Sequence, residues 1–228
     1  VSGLRAAVRL DALTVSPYWR QLLPLVGAVG LLSVVSGQPV VVVVAGAVFG
    51  SLLASYPFAV GDKHDLDVLR AVLPVPRRTL VAARYVFALG AYAVLAVLTT
   101  TLAVLGAGMQ EPSMSPDAGD VVSALATSFG VYAVLAGTQL PVYFALGYTR
   151  GRMVAVLPLV LLSSGIGAGV SLLGDGAPDL DLWLAQWADR LAPVSLAVGV
   201  VVLALSAAVS WRADAWRAAR ADGAQRAR

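Results

Sequence analysis

Apolar residues run along this chain in long blocks separated by short polar breaks. A bilayer core of about 30 Å takes about 20 helical residues to cross. Six blocks approach or reach that length: Leu22–Ser36, Val40–Val60, Leu80–Gly106, Val121–Gly147, Met153–Leu173 and Pro193–Trp211. Only Gly37, Gln38 and Pro39 separate the first two, which predicts a tight turn and a helical hairpin. The run PVVVVVAG after Gln38 favours a strand by residue preference. An open strand in lipid leaves its backbone groups unpaired, so helix is predicted there too. The expected fold is all-α: one polytopic membrane domain over residues 1–228 with six transmembrane helices.

Between and before the blocks the period changes from continuous to amphipathic. Residues 3–19 carry Leu4, Val8, Val15 and Trp19 with Arg5 and Arg9 on the polar side. They predict an interfacial helix filling residues 1–20 and anchored by Tyr18 and Trp19, rather than a cleavable leader with a small-residue cleavage site. Residues 179–191, DLDLWLAQWADRL, repeat Leu180, Leu184, Trp187 and Leu191 on one face. They predict an outer amphipathic helix before the last span, or an interfacial anchor through Trp183 and Trp187. The Arg- and Ala-rich tail, 212–228, predicts a helix leaving the last span and then fraying.

Composition agrees with a lipid solvent. The chain of 228 residues is 59% hydrophobic and 13% charged, with mean hydropathy +0.82. Soluble domains carry about 25% charged residues. Abundant Ala, Val, Arg and Gly fit a high-GC bacterial source. An isoelectric point near 9.5 admits nucleic acid as a partner, but the basic residues lie beside the apolar blocks and fit a membrane surface better. Fifteen of the sixteen Lys and Arg residues fall on one side of the predicted layout, with six of the thirteen acids. The other side holds Arg190 and Glu111, Asp117, Asp120, Asp175, Asp179, Asp181 and Asp189. The positive-inside rule then puts both termini in the cytoplasm, and with a bacterial source the expected membrane is the inner one. Tyr18, Trp19, Tyr56, Tyr85, Tyr148 and Trp211 lie at cytoplasmic span ends, as an aromatic belt does.

Several chemistries lack their residues. There is no cysteine, and the single histidine is His64, in a loop away from Ser163 and Ser164. Disulfides, thiolate catalysis and a serine–histidine pair in the membrane are excluded. No phosphate-binding G-x-x-x-x-G-K-[ST] loop occurs, and GIGAG at Gly165–Gly169 follows an apolar helix rather than a strand. No carboxylate falls in mid-span, which weighs against a proton- or sodium-coupled carrier. The chain is expected to hold no catalytic residue, cofactor or metal, and not to be an enzyme.

The most polar interruption is DKHDLDVLRAVLPVPRRTL, residues 62–80. Leu66, Leu69 and Leu73 recur at helical spacing, Asp65, Asp67 and Arg70 take the remaining surface, and Pro74 and Pro76 end the pattern. This predicts a short cytoplasmic helix, N-capped by Asp62 or Asp65. The residues alone leave two readings open: a helix lying on anionic headgroups through Arg77 and Arg78, or a docking helix for a partner.

The segment DKHDLDVLRAVLPVPRRTLVAARYV resembles the cytoplasmic loop of bacterial ATP-binding-cassette type-2 export permeases. A charged stretch, a short helix, a Leu-Pro-Val-x-Arg run and a basic-aromatic start to the third span occur in that order. The matching residues are Asp62, Lys63, Asp65, Leu69, Leu73, Pro74, Val75, Arg77, Arg78, Val81, Arg84 and Tyr85; Pro76 replaces the usual small polar residue. The resemblance implies a permease subunit whose loop is a coupling helix inserted into a separate ATPase subunit, which binds ATP and magnesium. Docking would fall to Asp62, Lys63, Asp65, Leu66, Asp67, Leu69, Arg70, Leu73, Pro74, Arg77 and Arg78. It also implies pairing with a second permease copy or a paralogue.

Inside the spans, Gly46, Gly50 and Ala54 form a small-residue ridge, Gly165, Gly167 and Gly169 loosen the fifth block, and Tyr92, Tyr132 and Gln139 are polar. In the resembling family the second and fifth spans meet across the subunit interface. These residues are the candidates for a substrate path or that interface; the alternative is packing within one bundle. Pro141 predicts a kink, with Thr138 and Gln139 serving freed carbonyls. The expected function is an ATP-driven exporter permease. A non-transporting scaffold or immunity protein and an ion-gradient carrier are the other readings.

Overall fold

A computed structural model describes residues 2–36, 39–64, 66, 75–110, 116–173 and 180–226. Those residues contain no strand; they form α1 (Ser2–Val15), a 3-10 turn at Ser16–Tyr18, α2 (Trp19–Ser36), α3 (Pro39–Lys63), α4 (Arg77–Gln110), α5 (Ala118–Leu146), α6 (Tyr148–Leu173) and α7 (Leu180–Arg226). Four stretches are long and apolar enough to cross a membrane: Val40–Lys63, Arg77–Met109, Ala118–Leu146 and Ala192–Arg217. In α2 the apolar run is shorter, Val26–Val35. Residues 65 and 67–74, which carry most of the predicted coupling helix, lie outside the described residues.

Helix ends follow local chemistry. Asp117 caps α5: its side chain accepts the Ala118 N–H, while the Asp117 N–H donates to Asp120 Oδ2 at 3.2 Å. That reciprocal box satisfies amide donors that a helix start otherwise leaves open. A single residue, Gly147, separates α5 from α6, with φ +75° and its N–H donating to the Tyr143 carbonyl at 2.9 Å. Positive φ of this kind costs little only in glycine. The predicted outer helix at 179–191 is not a separate element: α7 continues from it through Pro193. One missing amide donor interrupts a single hydrogen bond and need not end a helix.

Burial separates the helices by role. Half of the apolar window of α3 and of α5 is buried, against 33% in α4 and 22% in α7. The first two therefore form the centre and the others flank them. Outward residues such as Val94 and Val97 on α4, both 69% exposed, and Leu161 on α6, 70% exposed, present bare hydrocarbon. So many large apolar side chains facing outward suit lipid and not water.

The helices approach closely where side chains are small. On α5, Gly130 and Gly137 meet α7: a methyl built on them would stand 3.0 Å from Ser195 Cβ and 2.7 Å from Val202 Cγ1. Gly199 of α7 answers from the other side, with 2.8 Å to the Phe129 ring. Ser195 Oγ donates to the Ala126 carbonyl at 2.9 Å along the same seam. On the α2 side, Gly106 of α4 faces Ser33, whose hydroxyl donates to the Leu102 carbonyl at 2.6 Å.

Polar ties cross the apolar interior. Tyr92 OH donates to Ser128 Oγ at 3.2 Å, and Ser128 Oγ donates to the Val43 carbonyl at 3.0 Å, linking α4, α5 and α3. Tyr85, expected in the aromatic belt, instead turns inward, its hydroxyl 2.6 Å from Ser206 Oγ and 2.7 Å from Ser210 Oγ. Tyr85→Phe is expected to lower stability by about 1–2 kcal/mol, because two buried serines lose their shared partner. A thermal melt in detergent checks this; an unchanged midpoint would show that the α4–α7 contact is apolar in substance. Thr138 bonds the Val134 and Leu135 carbonyls, at 2.8 Å and 2.9 Å, one turn upstream of Pro141.

Candidate functional site

The loop predicted to dock a partner is framed by two clusters. Upstream, α3 closes on Lys63, and Lys63 and His64 are exposed while Asp62 and Leu66 are half-buried. Asp62 Oδ2 accepts the Thr149 N–H at 2.8 Å and the Thr149 hydroxyl at 3.2 Å. A carboxylate at a helix start meets both open amides and the positive end of the helix dipole. One turn earlier, Phe58 lies on Tyr143 and Phe144, with ring centroids 5.4 and 5.0 Å away, and Tyr143 lies 5.5 Å from Tyr148.

Downstream, α4 opens with exposed Arg77 and Arg78. Arg77 Nη1 sits 3.8 Å from Asp214 Oδ2, and the Arg78 guanidinium lies 3.9 Å over the Trp211 ring, both on α7. Two turns in, Arg84 is buried: its Nε donates to Asp11 Oδ2 at 3.1 Å, and its guanidinium stands 4.1 Å over Phe58. Asp11 and Arg84 side chains are 5% and 6% exposed. The N-terminal helix is thus fastened to the start of α4 by a desolvated ion pair. Gly3 of α1 also comes within reach of Val75, at the loop's exit.

Of the docking candidates, Asp62, Lys63, Leu66, Arg77 and Arg78 are placed by the structure. Asp65, Asp67, Leu69, Arg70, Leu73 and Pro74 lie outside the described residues. Asp62 is engaged with α6, and Arg77 and Arg78 with α7, which leaves Lys63 and His64 as exposed polar groups at the end of α3.

The interior candidates gather at the meeting of α3, α4 and α5. A methyl on Gly46 would stand 2.6 Å from the Thr99 side chain, and one on Gly50 would stand 3.4 Å from Tyr92 and 3.5 Å from Tyr132. Ala54 is buried beside them. Tyr92 and Tyr132 stack with centroids 4.3 Å apart. Tyr132 OH and Gln139 Oε1 are buried with no hydrogen-bond partner among the described residues. Gly165 and Gly169 fall in α6, where the helix is described but not what surrounds them.

Two features were missed in the sequence. Asp11 sits with Ala7 and Val15 on one helical stripe, and all three are buried; an acid on an apolar stripe is a legible signal of a buried partner. The close seam of α5 on α7 was overlooked in favour of the second and fifth blocks, although Ala126, Gly130, Ala133 and Gly137 repeat at helical spacing.

A family model described as ABC-2 family transporter protein matches residues 8–213. No curated protein and no solved structure matches the chain.

Proposed function

This chain belongs to the ABC-2 transporter family, and from that premise we propose that it is the membrane-spanning permease subunit of an ATP-driven exporter. It crosses the inner membrane six times, with both termini cytoplasmic, and forms its path with a second permease copy or a paralogue. Separate ATPase subunits hold ATP and magnesium and engage the 62–78 loop, with Leu66, Leu69 and Leu73 as apolar anchors. The interior polar groups, Tyr92, Tyr132 and Gln139, face the path when the bundle opens.

The observation that carries this reading is the framing of the loop. Its two flanks grip different helices, α6 through Asp62 and α7 through Arg77 and Arg78, so displacement of the loop reaches both sides of the bundle. A merely interfacial loop has no need of such fastening. Leu69→Asp tests the docking role. A tagged permease purified from its native membrane is expected to bring an ATPase with it, and Leu69→Asp is expected to cut the vesicle ATP hydrolysis at least tenfold. An unchanged rate would sink the docking role. A partner with no hydrolysis would point to a scaffold, and uptake driven by an ion gradient without ATP would point to a carrier.

A further inference from the structure

The ends of α3 and the start of α6 share more than one contact. Asp62 Oδ2 receives both donors of Thr149, and Phe58, on the same face of α3, packs on Tyr143 and Phe144 at the end of α5. Gly147 lies between them: a methyl there would stand 3.3 Å from Asp62 Oδ2 and 3.6 Å from Arg217 Nη2. The turn is therefore flanked by the carboxylate of α3 and the guanidinium of α7. Nothing comparable joins the start of α4 to α6 among the described residues; that flank is held by α1 and α7. The carboxylate is thus a polar link between the upstream flank of the loop and α6, a helix whose outward face carries exposed apolar side chains such as Met153, Leu157 and Leu161.

We propose that Asp62 is a positioning residue that passes displacement of the 62–78 loop to the start of α6, so that the end of α3 and the first turn of α6 move as one body. The proposal rests on the reading of that loop as the docking site of an ATPase. The carboxylate suits the task because it bonds two donors of one residue at once. Two bonds fix direction as well as distance.

The chain contains no cysteine, so a single introduced thiol is the permease's own labelling site when it is labelled before the ATPase is added. Met153 of α6 is 75% exposed and lies one turn past Thr149. A Met153→Cys permease labelled with a bimane fluorophore, then combined with its ATPase and trapped with Mg-ATP and vanadate, is expected to show an emission shift. Thr149→Pro removes both donors, and proline is tolerated in the first turn of a helix. That variant is expected to keep ATP hydrolysis within twofold while losing at least four-fifths of the shift. Asp62→Ala is expected to lose the same fraction, and the double variant no more than either single. A shift that survives both substitutions with hydrolysis intact overturns the proposal alone. An assembly that never hydrolyses ATP overturns the docking reading and this proposal with it. Loss of the fold in both variants reduces Asp62 to a helix cap and overturns it as well.

Discussion

Replacing Asp11 by Ala is expected to lower the stability of the bundle by about 3–5 kcal/mol, the cost of breaking a buried ion pair by removing one partner. The reason lies in the surroundings of Arg84. Its guanidinium is almost wholly buried, faces the Phe58 ring at 4.1 Å, and meets Asp11 at 3.1 Å. The ring face attracts a cation but does not replace a carboxylate. With Asp11 gone, Arg84 must withdraw toward water and drag the start of α4 from α1, or stay and carry the desolvation cost. Asp11→Leu combined with Arg84→Leu is expected to cost less than either single substitution, since two apolar groups can refill the site. Thermal or denaturant midpoints of all four proteins in one detergent close the cycle. If both single variants melted with the parent, the pair would be a surface feature and α1 would be loosely attached.

Gly199→Leu is the second large effect. A methyl at Gly199 already stands 2.8 Å from Phe129 Cε1 and 3.2 Å from Ala133 Cβ. The phenyl ring can swing away; the Ala133 Cβ is fixed to its backbone. Overpacking of this kind costs about 1–3 kcal/mol for modest insertions, and the isobutyl group exceeds a modest insertion. It is expected to part α5 from α7 and break the Ser195 bond to Ala126. Gly90→Leu is the control, because a methyl at Gly90 meets nothing within 4 Å and the position is exposed. The control is expected to keep the parent midpoint, or to raise it slightly by helix propensity. Equal melting of the two variants would mean that the seam has room it does not show.

The helical, membrane-embedded character of the chain was legible because it rests on long apolar blocks, which follow from bilayer thickness and backbone hydrogen bonding alone. The break between α2 and α3 was legible for the same local reason, while Gly37 and Gln38 of the predicted turn lie outside the described residues. Tyr85 was misread because periodicity at a span end does not say which way a side chain turns. An interfacial tyrosine and one bonded to two serines differ only in the neighbouring helix, and Ser206 and Ser210 lie far away in sequence. Asp62 shows the same limit. Its place before a predicted helix, most of which lies outside the described residues, points to the nearest residues and gives no sign of its bonds to Thr149 at the start of α6, beyond two further spans. Pairings set by tertiary packing leave only a negative trace in sequence: a charged residue, such as Asp11 or Arg84, in a stripe where none belongs.

Because α7 continues unbroken for 47 residues, it reaches about 70 Å at 1.5 Å per residue, more than twice the thickness of a bilayer core. Arg77 and Arg78 hold it to the start of α4 through Asp214 and Trp211, and the tight seam holds it to α5. A swing of about 5° about the middle of a rod that long carries each tip through about 3 Å, so these few contacts near its middle fix where both of its ends lie.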